Sequence, residues 1–133
     1  MASRYIRQQV KTWLADSSMT VPFYDTINLE QNPTDDIWCT VEFGFASRER
    51  MTYCEGLIEE DGDFEVIYFG RAGIGDDEIL RAAEKDINTF MSFRDSSGKL
   101  LITNRSSADE FTNGDVDREY GISFSVDYIY HES

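Results

Sequence analysis

One histidine, two cysteines and few basic residues are the scarce parts of this 133-residue chain. Each scarcity closes a class of function. With His131 alone, a histidine-rich metal site or a Ser-His-Asp triad has no material to build from. Cys39 and Cys54 are too few for a disulfide scaffold and lack zinc spacing. Cys39 falls at an inward strand position and reads as a small reduced core residue. No apolar run approaches the roughly 20 residues of a membrane helix, and no signal peptide precedes the first helix, so a soluble chain made in the cytoplasm is expected, with no membrane partner. Twelve bases stand against 26 acids, a formal net charge of -14. Such a field repels duplex DNA and excludes tight, phosphate-driven binding.

What is present builds a core. Hydrophobic residues make up 41% of the chain and aromatics 14%, enough for one domain over residues 1–133 that buries roughly two-thirds of its unfolded surface. Ser3 can cap a helix running to Ala15, with Ile6, Val10, Trp13 and Leu14 on one face and Arg4, Arg7 and Lys11 along another flank. That basic stripe is either a solvated face or a surface that pairs with an acidic neighbouring subunit. A short strand over 21–27 contains Pro22, which suits an edge. Residues 37–45 alternate Ile37, Cys39, Val41, Phe43 and Phe45 with Trp38, Thr40, Glu42 and Gly44, a half-buried strand.

Residues 46–62 show no sustained period and predict a protruding loop or extended hairpin that docks on something. A strand over 63–69 is apolar on both faces, and a helix over 77–92 carries Ile79, Leu80, Ala83, Ile87, Phe90 and Met91 as one stripe. A short strand at 99–103, a second polar loop at 106–115 and a last strand at 116–130 close the chain. The class is α+β: a mainly antiparallel sheet of about five strands with two α-helices packed on one face.

The strand, glycine corner and helix of residues 63–92 invite a nucleotide-binding reading. Gly73-Ile74-Gly75 nevertheless lacks the third glycine of a dinucleotide fingerprint and the Gly-Lys-Ser/Thr of a P-loop. Asp76, Asp77 and Glu78 put negative charge where a phosphate would sit, so the corner is structural. Glu59, Glu60, Asp61 and Asp63 do not follow the calcium-loop pattern, and no serine lies in a G-x-S-x-G elbow. No enzyme activity, catalytic residue, metal or cofactor is expected.

Together, V-P-F-Y-D-T-I after the first helix, I-W-C-T-V-E-F, a polar arm, G-D-F-E-V-I-Y-F-G-R-A-G-I-G, an Ala-containing helix and a closing aromatic strand carry a resemblance. Over nearly its whole length the chain resembles the tail terminator, or tail completion, proteins of long non-contractile-tailed bacteriophages. The D-D-E at the helix start and the long 48–61 arm are particular to this sequence. The resemblance implies a virion structural protein, found in the host cytoplasm during assembly. It implies a ring, typically a homo-hexamer, seated on the last ring of the tail tube protein at the head-proximal end of the tail. That ring would end tube polymerisation and offer the joining surface for a head-tail connector or head completion protein. DNA would pass its acidic lumen without specific binding.

Interface residues are expected on the first helix and the arm. Arg4, Arg7 and Lys11 would face a neighbouring subunit or the tube, Arg48 and Arg50 would meet a neighbour's acids, and Met51, Tyr53 and Leu57 would be buried anchors. The alternatives are another neck or head-completion protein, an acidic DNA mimic that inhibits a DNA-binding protein, and a small carboxylate enzyme. Acids scattered through turns, not striped along one helix, weigh against the mimic.

Overall fold

The computed structural model describes residues 4–24, 37–50, 58–70, 76–113 and 119–132. Helix α1 spans Arg4–Leu14, and strands β1 (Ile37–Arg50) and β2 (Ile58–Gly70) follow. Helix α2 spans Asp76–Ser92, and strands β3 (Leu100–Arg105), β4 (Asp109–Asn113) and β5 (Glu119–Glu132) complete the order. The class is α+β, with every strand-to-strand pairing antiparallel. The strands lie in the order β1-β2-β5-β3, and β4 also pairs with β5.

Two expectations about strands need correction. Of the segment expected as a strand at 21–27, the described part makes one parallel bridge, Phe23 to Cys39. Cys39 N–H donates to Pro22 O at 2.9 Å, and Tyr24 N–H donates to Cys39 O at 2.9 Å. Pro22 has no N–H of its own to extend a ladder, which fits a single bridge at an edge. Residues 25–27 lie outside the described residues.

The polar segment expected as a loop at 106–115 instead supplies β4. β5 is hydrogen-bonded to β2 over Tyr120–Glu132, so its other edge needs partners too. β3 covers Val126–Tyr130 of that edge and β4 covers Glu119–Ser123. Between them Ser106 bridges the gap: its N–H donates to Ser125 O at 2.8 Å, and its Oγ accepts from Ser125 N–H at 2.9 Å. β3 and β4 therefore act as one interrupted strand, and the hydrogen-bonding demand of β5 overrides the polar composition of β4.

The segment expected as a loop or extended hairpin at 46–62 is paired at both ends. Ala46 to Arg50 lie opposite Gly62 to Ile58, and β2 in turn pairs with β5 down to Ile58 and Glu132. A register shift between Phe43 and Ala46 bends β1 as a bulge does.

One face of the sheet carries the core. Directly opposed residues share a face, so Cys39, Tyr68 and Ile122 form one row, with Val41, Val66 and Phe124 in the next. These join Ile6, Val10, Trp13 and Leu14 of α1 and Ile79, Ala83, Ile87 and Phe90 of α2 in a single buried cluster. Aromatic rings tie the elements together. Trp13 meets Phe90 edge-on at 5.7 Å, Phe64 meets Phe90 at 5.8 Å, and Tyr5 stacks on Tyr130 at 5.2 Å. Gly70 matters at the end of β2: a Cβ there would overlap the side chain of Ile79. The close approach of α2 requires its absence.

Two buried carboxylates hold the connections. Asp86, on α2, accepts from Thr20 N–H at 3.1 Å, Thr20 Oγ1 at 2.6 Å and Val21 N–H at 2.7 Å, fixing the segment after α1. Asp95 accepts from Tyr5 Oη at 2.7 Å, Ser97 Oγ at 2.6 Å and Leu100 N–H at 3.1 Å, closing the turn into β3.

Replacing Gly70 with alanine should destabilise the fold by about 1–3 kcal/mol, because Ile79 must shift within a packed core; urea unfolding measures it. A second expectation concerns acid. Burial pushes the Asp95 carboxyl up, but hydrogen bonds from Ser97, Tyr5 and Leu100 outweigh it and hold it below the ordinary range. Its contribution is thus fully present above the unfolded value of about 3.9 and is lost as pH falls through the lower folded value. The stability gap between wild type and Asp95→Asn should narrow as pH drops from 6 to about 2, read by denaturant midpoints across that range.

Candidate interaction surface

The register that puts Phe64, Val66 and Tyr68 in the core puts Asp61, Asp63, Glu65, Ile67 and Phe69 on the opposite face. That face is divided along its length. At one end Trp38 stacks on Phe69 at 4.4 Å and meets Tyr24 edge-on, while Thr40, Ile67 and Ser123 are buried beside them. At the other end it is acidic. Glu42 lies directly opposite Glu65, and Asp63 lies directly opposite Asp127. Glu42, Glu65, Asp61 and Asp127 are exposed and Asp63 is half-buried.

Like charges placed face to face across a ladder are destabilising. Gly44 makes room for them: a Cβ at Gly44 would lie 2.5 Å from Asp63 Oδ1. Asp61, Asp63, Thr103, Asp127 and Ile129 bound an open depression of about 440 Å³. Beside it stands Leu101, opposite Ile129 and 47% exposed, the exposed large hydrophobic among the described residues. One row further on, His131 Nε2 lies 3.5 Å from Glu59 Oε1.

Among the described residues no three His, Cys, Asp or Glu side chains gather as a metal site. No helix among them is long and apolar enough to cross a membrane. The acids of this face are spread along strands and not drawn around a point, an arrangement that acts as a field. For Glu42, Asp61, Asp63, Glu65 and Asp127, strands and not turns carry the acid. Alternation in paired strands collects them on one face, which a search for helical stripes does not detect.

On the other side of the sheet lies the basic helix α1, together with α2, which has more acids than bases. Helix α1, RYIRQQVKTWL, contains Arg4, Arg7 and Lys11 and no acid. Arg4 is exposed, and Arg7 and Lys11 are half-buried. Arg7 is already engaged within the chain, with its Cζ 4.8 Å from the centre of the Phe43 ring. Arg48 and Arg50 end β1, opposite Glu60 and Ile58 in register. Met51, Tyr53 and Leu57 lie outside the described residues, as do Gly73 and Gly75 of the glycine corner.

Sequence reading missed Glu60, which sits on the core side of β2, fully buried, and accepts from Tyr128 Oη at 2.9 Å. Burial, then the bond to Glu60, pushes the Tyr128 hydroxyl above its ordinary value, with Arg7 partly offsetting it. The one available signal was parity: Glu60 shares the even positions of Phe64, Val66 and Tyr68. Cys39 is buried and free, and burial pushes its thiol up, which makes it an unreactive core residue.

Glu65→Gln should relieve the opposed pair with Glu42 and stabilise the isolated chain by about 0.2–1 kcal/mol at low salt. The gain should shrink at high salt, where exposed charges are screened; paired urea titrations at two ionic strengths check it. No protein-family model matches this chain, and no curated protein is similar to it.

Proposed function

We propose that this protein is a non-enzymatic structural component of a phage tail, forming a ring that caps the tail tube. In this reading the ring ends tube polymerisation and presents the surface that joins the head. Its finer architecture is the sheet of about five strands with two helices on one face, repeated around the ring, typically six times. The observation that carries the reading is that one small domain carries both a wholly basic helix and an acidic strand face. A helix with three bases and no acid lies on one side of the sheet, and opposed acid pairs lie on the other. Such a molecule is built to meet copies of itself and to keep DNA moving past it. Each copy contributes -14, so DNA in the channel meets net repulsion and slides without adhering.

Support also comes from the β1–β2 hairpin. Its strands of 14 and 13 residues are among the longest in the molecule, and β5 buttresses β2 along its full length. Arg48 and Arg50 stand in register at the end of β1, opposite Glu60 and Ile58, and in this reading contact a tube or neck partner. Glu60 is fully buried and residues 58–62 pair with β5, so removing the arm wholesale would injure the core. Reversing charge at its end is the cleaner test.

A second reading, an acidic DNA mimic, gains from the acids being collected on one face of the sheet. Tight one-to-one binding to a DNA-binding protein, with no ring, would favour it. The decisive experiment is electron microscopy of tails assembled with and without this protein. Overlong tubes in its absence, with capping restored by wild type and weakened by Arg50→Glu, are expected; tails of normal length without it would reject the cap.

A further inference from the structure

We infer that the acidic face of the sheet is the docking surface for helix α1 of a second copy of this chain. The inference rests on the ring reading above and names the two surfaces that would meet. The acceptor is the region around Glu42, Glu65, Asp63 and Asp127, with its open depression of about 440 Å³ and Leu101 at its side. The donor is the outward face of α1, where exposed Arg4, Gln8 and Thr12 follow one another at helical spacing, flanked by Lys11.

Charge complementarity selects this occupant. In a chain of -14, α1 is an element of purely positive side-chain charge, and the sheet face opposes acid to acid in adjacent rows. An arriving cationic helix relieves the Glu42–Glu65 and Asp63–Asp127 repulsions, so part of its binding free energy comes from strain held in the free chain. Leu101 supplies apolar area beside the charges, where a long basic side chain can lay its methylene stem.

Geometry sets the kind of assembly. The apolar side of α1 is in the core, with Ile6 and Val10 fully buried against the opposite side of the sheet from the acids. Donor and acceptor therefore lie on opposite sides of one domain. A contact between them is head-to-tail, and repeated copies form a closed ring or an open helix, never a two-fold dimer. The bulge in β1 between Phe43 and Ala46 fits this mode, because it disturbs the edge that a direct strand-to-strand association would use.

The test is a charge swap in the full-length protein, at exposed Arg4, Glu65 and Asp127 and half-buried Lys11. Arg4→Glu/Lys11→Glu reverses the donor, and Glu65→Lys/Asp127→Lys reverses the acceptor. Each variant alone should lose self-association in sedimentation velocity at low salt, with the dissociation constant rising roughly tenfold or more. Mixed in equal amounts they should associate again, because native α1 meets a native face and reversed α1 meets a reversed face in alternation. Circular dichroism and thermal melts confirm that each variant is folded. Association unaffected by either reversal, failure of the mixture to recover, or a wild type that stays monomeric at all concentrations would each overturn the inference. One-to-one capture of a DNA-binding protein on the acidic face, blocked by Glu65→Lys/Asp127→Lys, would also overturn it. The outcomes separate from those of the ring reading. Recovery in the mixture with normal tail length in the protein's absence keeps the contact and rejects the cap; capped tubes indifferent to both reversals keep the cap and reject the contact.

Discussion

Strand β2 is hydrogen-bonded to β1 on one side and to β5 on the other, from Ile58 to Gly70. A strand held on both sides cannot slip by one residue without exchanging its two faces. The parity of β2 therefore sorts the molecule. Even positions send Phe64, Val66 and Tyr68 into the core, where they are less than 2% exposed. Odd positions send Asp61, Asp63 and Glu65 to the opposite face. β1 and β5 inherit the same sorting through their registers, which is how Glu42 and Asp127 come to stand against Glu65 and Asp63.

The same constraint carries costs. Glu60 occupies an even position and is taken into the core, where the Tyr128 hydroxyl meets it. Tyr68 Oη and Thr40 Oγ1 are buried without a hydrogen-bond partner, each forfeiting part of its solvation. The opposed acids add repulsion on the outer face. Against these stands a core dense in aromatic rings, and buried carboxylates that fasten its connections. Asp86 gathers both backbone and side-chain donors from the segment after α1, and Asp95 joins the first helix to the turn before β3. A domain stabilised in this way tolerates a charged face that does nothing for its own folding.

That surplus charge is where physical chemistry meets proposed role. In the proposed role, a uniformly acidic surface would keep copies apart, whereas a basic helix and an acidic face on one domain would allow repulsion from DNA and attraction between copies at once. Gly70 is needed because Ile79 comes too close for any side chain there, and exposed Asp77 and Glu78 occupy the first turn of α2.

Local periodicity was sufficient for both helices. The spacing of Ile6, Val10, Trp13 and Leu14, and of Ile79, Ala83, Ile87 and Phe90, marks residues that are indeed buried, while Leu80 and Met91 of the expected stripe are half-buried at its margin. Alternation in 37–43 and 120–130 was equally legible, because an apolar face must be buried wherever the strand ends up. β4 was not legible: Asp109–Asn113 is polar, and it is strand because β5 has an edge to satisfy. Nor was the bridge at Phe23, which reduces an expected strand to one pair of hydrogen bonds in the described residues. Of the candidate interface, the basic helix was readable from composition, while the acidic face was not. The sequence by itself determined which residues seek the interior and how much charge the chain carries. Only the tertiary structure decided which acids stand beside one another, because that depends on register between strands far apart in the chain, and register is set by hydrogen bonds that no local pattern records.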